Sequence, residues 1–98
     1  MIRVKKVKDH IEIKGHALFD EYGKDIVCAS VSSIVITSVN GILSIDDKAI
    51  EYKQDNGLVV LDILKHSDVI DALILNMMNL LKELETQYRK NIRIEEVC

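Results

Sequence analysis

Cysteine and histidine are the side chains most suited to nucleophilic chemistry near neutral pH without a metal. This chain has two cysteines, Cys28 and Cys98, and three histidines, His10, His16 and His66. Cys28 lies three residues after Asp25, at the start of a long apolar run that reads as a helix. Amides in a first helical turn have no intrahelical acceptor, and the helix dipole is positive there. Both effects favour thiolate over thiol. The same amides can donate to an oxyanion on a substrate carbonyl, which suits acyl transfer. The plainer reading of a lone intracellular thiol is a small buried hydrophobe. Cys98 is the last residue and reads as an ordinary thiol.

A thiol nucleophile needs a base. His10 and His66 lie among polar strand-end residues and read as surface groups. His16 ends a strand and precedes a loop that runs back to the helix start, twelve positions before Cys28. A strand–loop–helix connection of that length can bring its two ends together, although a surface or loop-capping His fits the spacing equally well. Asp25, Cys28 and Ser32 share one helical stripe at i, i+3 and i+7. Asp25 has a plain role as helix cap and a sharper one, orienting His16 or stabilising its imidazolium. Ser32 either bonds back to the helix carbonyl four residues earlier or reaches a polar neighbour.

The elements that must position these residues follow from periodicity. Met1–Val7 alternates Ile2 and Val4 with Arg3 and Lys5, and His10–Lys14 points Ile11 and Ile13 inward. Lys8-Asp9 is a plausible turn between two strands of a hairpin. Gly15–Lys24 reads as a loop. Asp25–Leu43 is rich in β-branched residues, yet it is too long for a strand and lacks clean alternation, so it reads as a buried helix with Asn40-Gly41 near its C-terminal end. A helix apolar on most faces must be covered on most faces. Lys48–Tyr52 and Leu58–Lys65 read as strands around Asp55-Asn56-Gly57, because Asn-Gly tolerates the positive φ that a tight hairpin needs. The run Leu58-Val59-Val60-Leu61 suggests that the second of them is central and covered on both faces. Ser67 or Asp68 then caps an amphipathic helix whose stripe is Ile70, Leu73, Ile74, Met77, Leu80, Leu81 and Leu84. Asp68 and Asp71 stand at its positive end, Arg89 and Lys90 at its negative end, and Asn91 breaks it. Ile92 and Ile94 open a final strand. The expected fold is a single α+β domain over 1–98, order ββαββαβ, with a mixed or antiparallel sheet packed with two helices.

Composition narrows the function classes. The chain has 98 residues, enough for one compact domain and too few for two. Two cysteines support neither a disulfide scaffold nor a four-thiolate zinc site, and the three histidines show no ligand spacing, so no metal and no cofactor is expected. The net charge of −3 lacks a whole-domain basic footprint for nucleic acid, and the basic cluster Arg3, Lys5, Lys6, Lys8 reads as a solvated strand edge. Direct nucleic-acid binding is not expected. The N-terminus shows no signal peptide. Residues Ile26–Ile45 contain six serines or threonines plus Asn40, too polar for a convincing membrane span. A cytoplasmic location with reduced thiols, and no membrane, is the expectation.

The residues Gly15-His16-Ala17, then Tyr22-Gly23-Lys24-Asp25-Ile26-Val27-Cys28-Ala29, then Ser32 four residues after the Cys, resemble the ribosomal-processing cysteine protease family, Prp. The motif covers about a fifth of the chain and combines several fixed spacings. The length and element order fit the rest. The resemblance implies a bacterial endopeptidase with a Cys/His dyad that acts in ribosome biogenesis. It implies removal of an N-terminal extension from a large-subunit ribosomal protein, so that the extension is the substrate. Carried over by position, Cys28 would be the nucleophile and His16 the general base, with Asp25 and Ser32 beside them. Gly15 and Gly23 would flank a mobile substrate loop that includes Ala17 and Tyr22. The resemblance also implies a homodimer. This chain departs from the family in its loop, where Leu18-Phe19-Asp20-Glu21 is bulkier than the glycine-richer loops common there, and at Ser30, where Ala or Gly is usual. Leu18 and Phe19 are expected to pack on apolar substrate side chains when the loop closes. The competing reading is a non-enzymatic ribosome-associated or dimeric interaction module with Cys28 merely buried. A redox-sensing thiol ranks behind it, for want of a resolving cysteine nearby.

Overall fold

The computed structural model describes residues 1–15, 26–55 and 57–97. Two short strands come first, β1 (Ile2–Val7) and β2 (His10–Lys14), followed by the helix α1 (Ile26–Ile45). A second hairpin, β3 (Ile50–Asp55) and β4 (Leu58–Ile63), leads to the helix α2 (Asp68–Gln87) and the last strand, β5 (Ile92–Val97). The five strands form one sheet in the order β3-β4-β2-β1-β5. The β1–β5 pair is parallel and the other neighbours are antiparallel, so the sheet is mixed and the order ββαββαβ stands.

Alternation decides which face is covered. Ile2, Val4, Ile11, Ile13, Val59, Leu61, Ile63 and Ile92 are buried beneath the two helices, while Arg3, Lys5, Lys14, Lys53, Arg93 and Glu95 stand on the open face. The antiparallel pairing of β4 with β2 puts Leu58, Val60 and Asp62 on that open face too, half-buried. β4 is therefore central but covered on one side only, contrary to the expectation from its apolar run. Neighbouring side chains shield Val60 without a second layer.

α1 runs two residues beyond the expected Leu43, straight through Asn40-Gly41. A side chain at Gly41 would meet nothing within 4 Å, so this glycine marks neither a close approach nor a stop. The buried stripe of α1 is Val27, Cys28, Val31, Val35, Val39 and Ile42. By length and composition α1 could cross a membrane, which corrects the view that its hydroxyl residues make it too polar. The apolar residues of the run outweigh its hydroxyls, two of which, Ser38 and Ser44, donate within the helix to the carbonyls of Ile34 and Asn40 at 2.7 Å. Nor is α1 covered on most faces. Ile26, Ile36 and Ile45 are 65%, 45% and 55% exposed.

Ser67 is the N-cap of α2, its hydroxyl accepting from the Ile70 amide at 3.1 Å. The helix ends at Gln87, before Asn91, because the Tyr88 amide closes on the Leu84 carbonyl and Tyr88 then accepts from Asn91 and Ile92 in a tight turn. Arg89 and Lys90 lie in that turn rather than in the last helical turn. Met77 and Leu81 are fully buried, as is Met78, which the helical stripe omitted; Leu80 is 40% exposed. β3 begins at Ile50 instead of Lys48. Lys48 belongs to a turn in which its amide bonds the Asp46 carboxylate at 2.9 Å, and the Ala49 carbonyl then accepts from Leu64 and Lys65.

The β1–β2 turn holds Lys8 at φ 53°, the left-handed region that a side chain occupies at a cost of roughly 1 kcal/mol. Lys8→Gly is expected to stabilise the fold by about 0.5–1 kcal/mol, raising Tm by roughly 2–6 °C, and Lys8→Val to lower it. Thermal melts of the two variants check this; a Tm ranking with Val above Gly would contradict it.

Candidate active site

Antiparallel alternation sorts the chain's turns to two ends of the sheet. At one end β2 and β3 finish, β1, β4 and β5 begin, and the turn after α2 lies. The C-terminus of α1 is tied to the other end through Asp46 and Ala49. A 20-residue helix is about 30 Å long, so its first turn reaches back toward the end where β2 finishes. Cys28 is the third residue of α1. Its amide belongs to the first turn, whose N–H groups lack intrahelical acceptors. The side chain is 3% exposed, is not in a disulfide, and has a partner, as does half-buried Ser32 one helical turn on. With its helix neighbours Val27 and Val31 also buried, the Cys28 thiol is shielded from water.

Gly15 ends β2 with φ 83°, a conformation that L side chains rarely adopt, and its amide donates to the Gly57 carbonyl at 3.0 Å. Gly57, itself at φ 81°, belongs to the β3–β4 turn. The second hairpin thus holds Gly15, the residue that precedes His16 in the sequence. Sequence reasoning missed this contact, although the Asn-Gly signal marked the hairpin that supplies it. His16, Ala17, Leu18, Phe19, Tyr22, Gly23 and Asp25 lie outside the described residues, as does Cys98.

The other two histidines belong to the opposite end. His10 Nδ1 is 2.6 Å from Asp62 Oδ1, and its Nε2 is 3.5 Å from Glu12. The hydrogen bond to Asp62 raises its pKa. His66 bridges the first hairpin to the start of α2, with Nε2 3.0 Å from Asp9 and Nδ1 2.7 Å from Asp71. Those bonds, the one to Asp9 foremost, raise its pKa as well. Both are surface ion-pair groups, as expected, His66 exposed and His10 half-buried. A pKa raised above the unfolded value of about 6.5 stabilises the fold below that pH and ceases to do so as pH climbs through the folded value. His66→Gln should therefore lower Tm more at pH 6 than at pH 9; an equal drop at both would contradict the role of the bridge. Among the described residues no group of three or more His, Cys, Asp or Glu side chains could hold a metal ion.

The chain matches known proteins along nearly its whole length. The family model for cysteine protease Prp matches residues 1–93. The ribosomal processing cysteine protease Prp of Staphylococcus aureus (strain Mu50 / ATCC 700699) is 34% identical over 92 residues, covering 91% of this chain and 86% of that protein. The protein of the same name from Bacillus subtilis (strain 168) is 29% identical over 90 residues, covering 85% and 80%. In structure, the chain is similar to an essential ribosomal processing protease Prp from S. aureus crystallised with a covalently linked product peptide. The TM-score is 0.89 at 27% identity, covering 99% of this chain and all of that one. The complex of that protease with a substrate peptide gives a TM-score of 0.88 at 26% identity, with the same coverage. A family match over residues 1–93 and one fold throughout lead to one conclusion: this chain belongs to the cysteine protease Prp family.

Proposed function

We propose that this chain is a cytoplasmic cysteine endopeptidase, one domain over residues 1–98, that removes the N-terminal extension of a bacterial large-subunit ribosomal protein. Cys28 is the nucleophile and His16 the general base. The observation that carries the reading is the place of Cys28, in the first turn of α1, within a chain that shares its fold with a protease crystallised with a covalently linked product peptide.

The chemistry follows from that placement. His16 takes the proton of the Cys28 thiol. The thiolate sulfur attacks the scissile carbonyl carbon, and the amides at the start of α1 hold the oxyanion. The intermediate collapses, the peptide C–N bond breaks, and His16 returns the proton to the leaving amine. Water, deprotonated by His16, then attacks the thioester and releases the carboxylate product and the thiol. Asp25 orients His16 or stabilises its imidazolium, and Ser32 supports the site one turn further along the helix. Gly15, Ala17, Leu18, Phe19, Tyr22 and Gly23 make the substrate loop, with Leu18 and Phe19 against apolar residues of the peptide. The enzyme works as a homodimer, which would cover apolar side chains that a single chain leaves exposed, Ile36 among them.

Incubation with a peptide spanning a ribosomal-protein N-terminal extension, read by mass spectrometry for wild type and Cys28→Ala, tests the reading. The 3% exposure of Cys28 favours one alternative, an interaction module with an inert core thiol. Thiol labelling in the folded state separates them: rapid, pH-dependent labelling of Cys28 supports the protease, and labelling only on unfolding supports the module.

A further inference from the structure

All three arginines of the chain, Arg3, Arg89 and Arg93, lie at the end of the sheet where β1 and β5 begin. The register sets Lys14, Arg3 and Arg93 side by side across β2, β1 and β5. All three are exposed on the open face, because their neighbours Ile2, Ile13 and Ile92 point into the core. The next row on the same face is Glu12, Lys5 and Glu95. Strands are about 4.8 Å apart, so three cations stand in a row roughly 10 Å long. With Lys5 they line a groove of about 510 Å³, four cations against the two carboxylates Glu12 and Glu95.

Like charges directly opposed across strands destabilise a sheet. Four lysines elsewhere have carboxylate partners: Lys6 and Lys82 meet Glu96, Lys53 meets Glu51, and Lys65 meets Asp46, whereas Lys8, Lys48 and Lys90 stand singly rather than in a row. Among the described residues, none of Arg3, Lys5, Lys14 and Arg93 has a carboxylate within 4 Å. Asp9, Asp62 and Asp71, with their histidines, occupy the opposite end. The net charge of −3 thus conceals a local cationic row that none of those carboxylates neutralises.

We propose that this row docks the phosphodiester backbone of RNA. Guanidinium groups pair with phosphate oxygens through two parallel hydrogen bonds, and three cations in line suit successive phosphates of one strand. The interleaved carboxylates choose between polyanions. Glu12 and Glu95 repel phosphates and peptide carboxylates alike, but only RNA brings ribose 2′-hydroxyls that can donate to them. The choice of RNA rests on the ribosomal-processing reading above; the cationic row does not. Weak RNA association would hold the protease near ribosomal proteins without contributing to peptide-bond chemistry.

Fluorescence anisotropy with a labelled uridine 20-mer tests this. Wild-type protein should bind at about 50 mM salt and weaken roughly ten- to twentyfold by about 200 mM, as expected for about three phosphate contacts to a single strand. Arg3→Glu/Arg93→Glu should weaken binding at least tenfold, and the milder Arg3→Gln/Arg93→Gln about threefold or more. Lys48→Glu, at the other end, should leave it unchanged. Extension-peptide cleavage, measured in parallel, should be unaffected in every variant, so loss of RNA binding and loss of protease activity are separate results. Absence of binding by wild type at 50 mM salt, or unaltered binding by folded Gln and Glu double variants, would overturn the proposal. Competition by an oligoglutamate of equal charge that matches RNA would overturn it too, assigning the surface to acidic protein.

Discussion

Cys28→Ala should lower kcat/KM for cleavage of an extension peptide by at least about 10³-fold, because removing the nucleophile of a covalent mechanism leaves only binding and oxyanion stabilisation. The loss should come without unfolding. Cys28 is a small side chain, and its truncation deletes one buried atom from the stripe formed with Val27 and Val31. The expected stability cost is about 1–2 kcal/mol, a Tm drop of several degrees for a chain of this size. Cys28→Ser is the stricter variant, since it keeps the shape and exchanges the thiol for a hydroxyl. A serine hydroxyl is far less acidic than a thiol, and a base suited to a thiol does not activate it well. Ser should therefore fail nearly as completely as Ala while melting close to wild type. Mass-spectrometric detection of both cleavage products, with melts of the same samples, checks the pair. Wild-type turnover by folded Cys28→Ala would remove the covalent mechanism altogether.

Much of the fold is legible because local rules agree with one another. Ile2 and Val4 alternate with Arg3 and Lys5, and Ser67 stands three residues before an amide that needs an acceptor. Asn56-Gly57 separates two β-rich runs, and Gly57 takes the positive φ. The errors arise where hydropathy does not vary around an element. α1 is apolar nearly all round, so composition cannot say that Val31, Val35 and Val39 face the core while Ile36 is 45% exposed. Leu58-Val59-Val60-Leu61 is uniform in the same way, and only its pairing with β2 shows that Val60 faces away from the helices. In α2, Met78 and Leu80 are both apolar, yet Met78 is buried and Leu80 is 40% exposed, a choice made by tertiary packing and not by composition.

The place of the Cys28 thiol is legible in a different sense. Chemistry requires a thiol near unpaired amides, and Cys28 meets that condition on its spacing from Asp25 alone; α1 begins at Ile26, within one residue of the expected start. What sequence does not supply is the hydrogen bond that holds Gly15, the residue before the proposed base. No spacing rule connects Gly15 to Gly57, 42 positions later, because their hydrogen bond depends on the register of β2 against β4, which pairs Lys14 with Leu58.

That anchor shapes the second large expectation. His16→Gln should reduce kcat/KM by about 10²–10⁴-fold, the range typical of losing a general acid–base. The residual activity should lose the pH dependence set by an imidazole, because glutamine keeps hydrogen bonding but carries no titrating group. His10→Gln and His66→Gln are the matched controls. Both histidines belong to the end of the sheet remote from Gly15, held by Asp62 and Glu12 in one case and by Asp9 and Asp71 in the other. Their loss should alter stability and leave cleavage within about twofold of wild type, the small effect expected of substitutions outside the reacting groups. Steady-state kinetics from pH 5 to 9 on the three variants separate a chemical role from a structural one. If His16→Gln keeps the wild-type rate and pH profile, the base lies elsewhere. If His10→Gln or His66→Gln abolishes cleavage in a folded protein, the assignment of the working end of the sheet is wrong. The stated pattern, one histidine of three governing both rate and pH profile, is what the proposed role of His16 requires, and Gly15, the residue before it, is held by the Gly57 carbonyl.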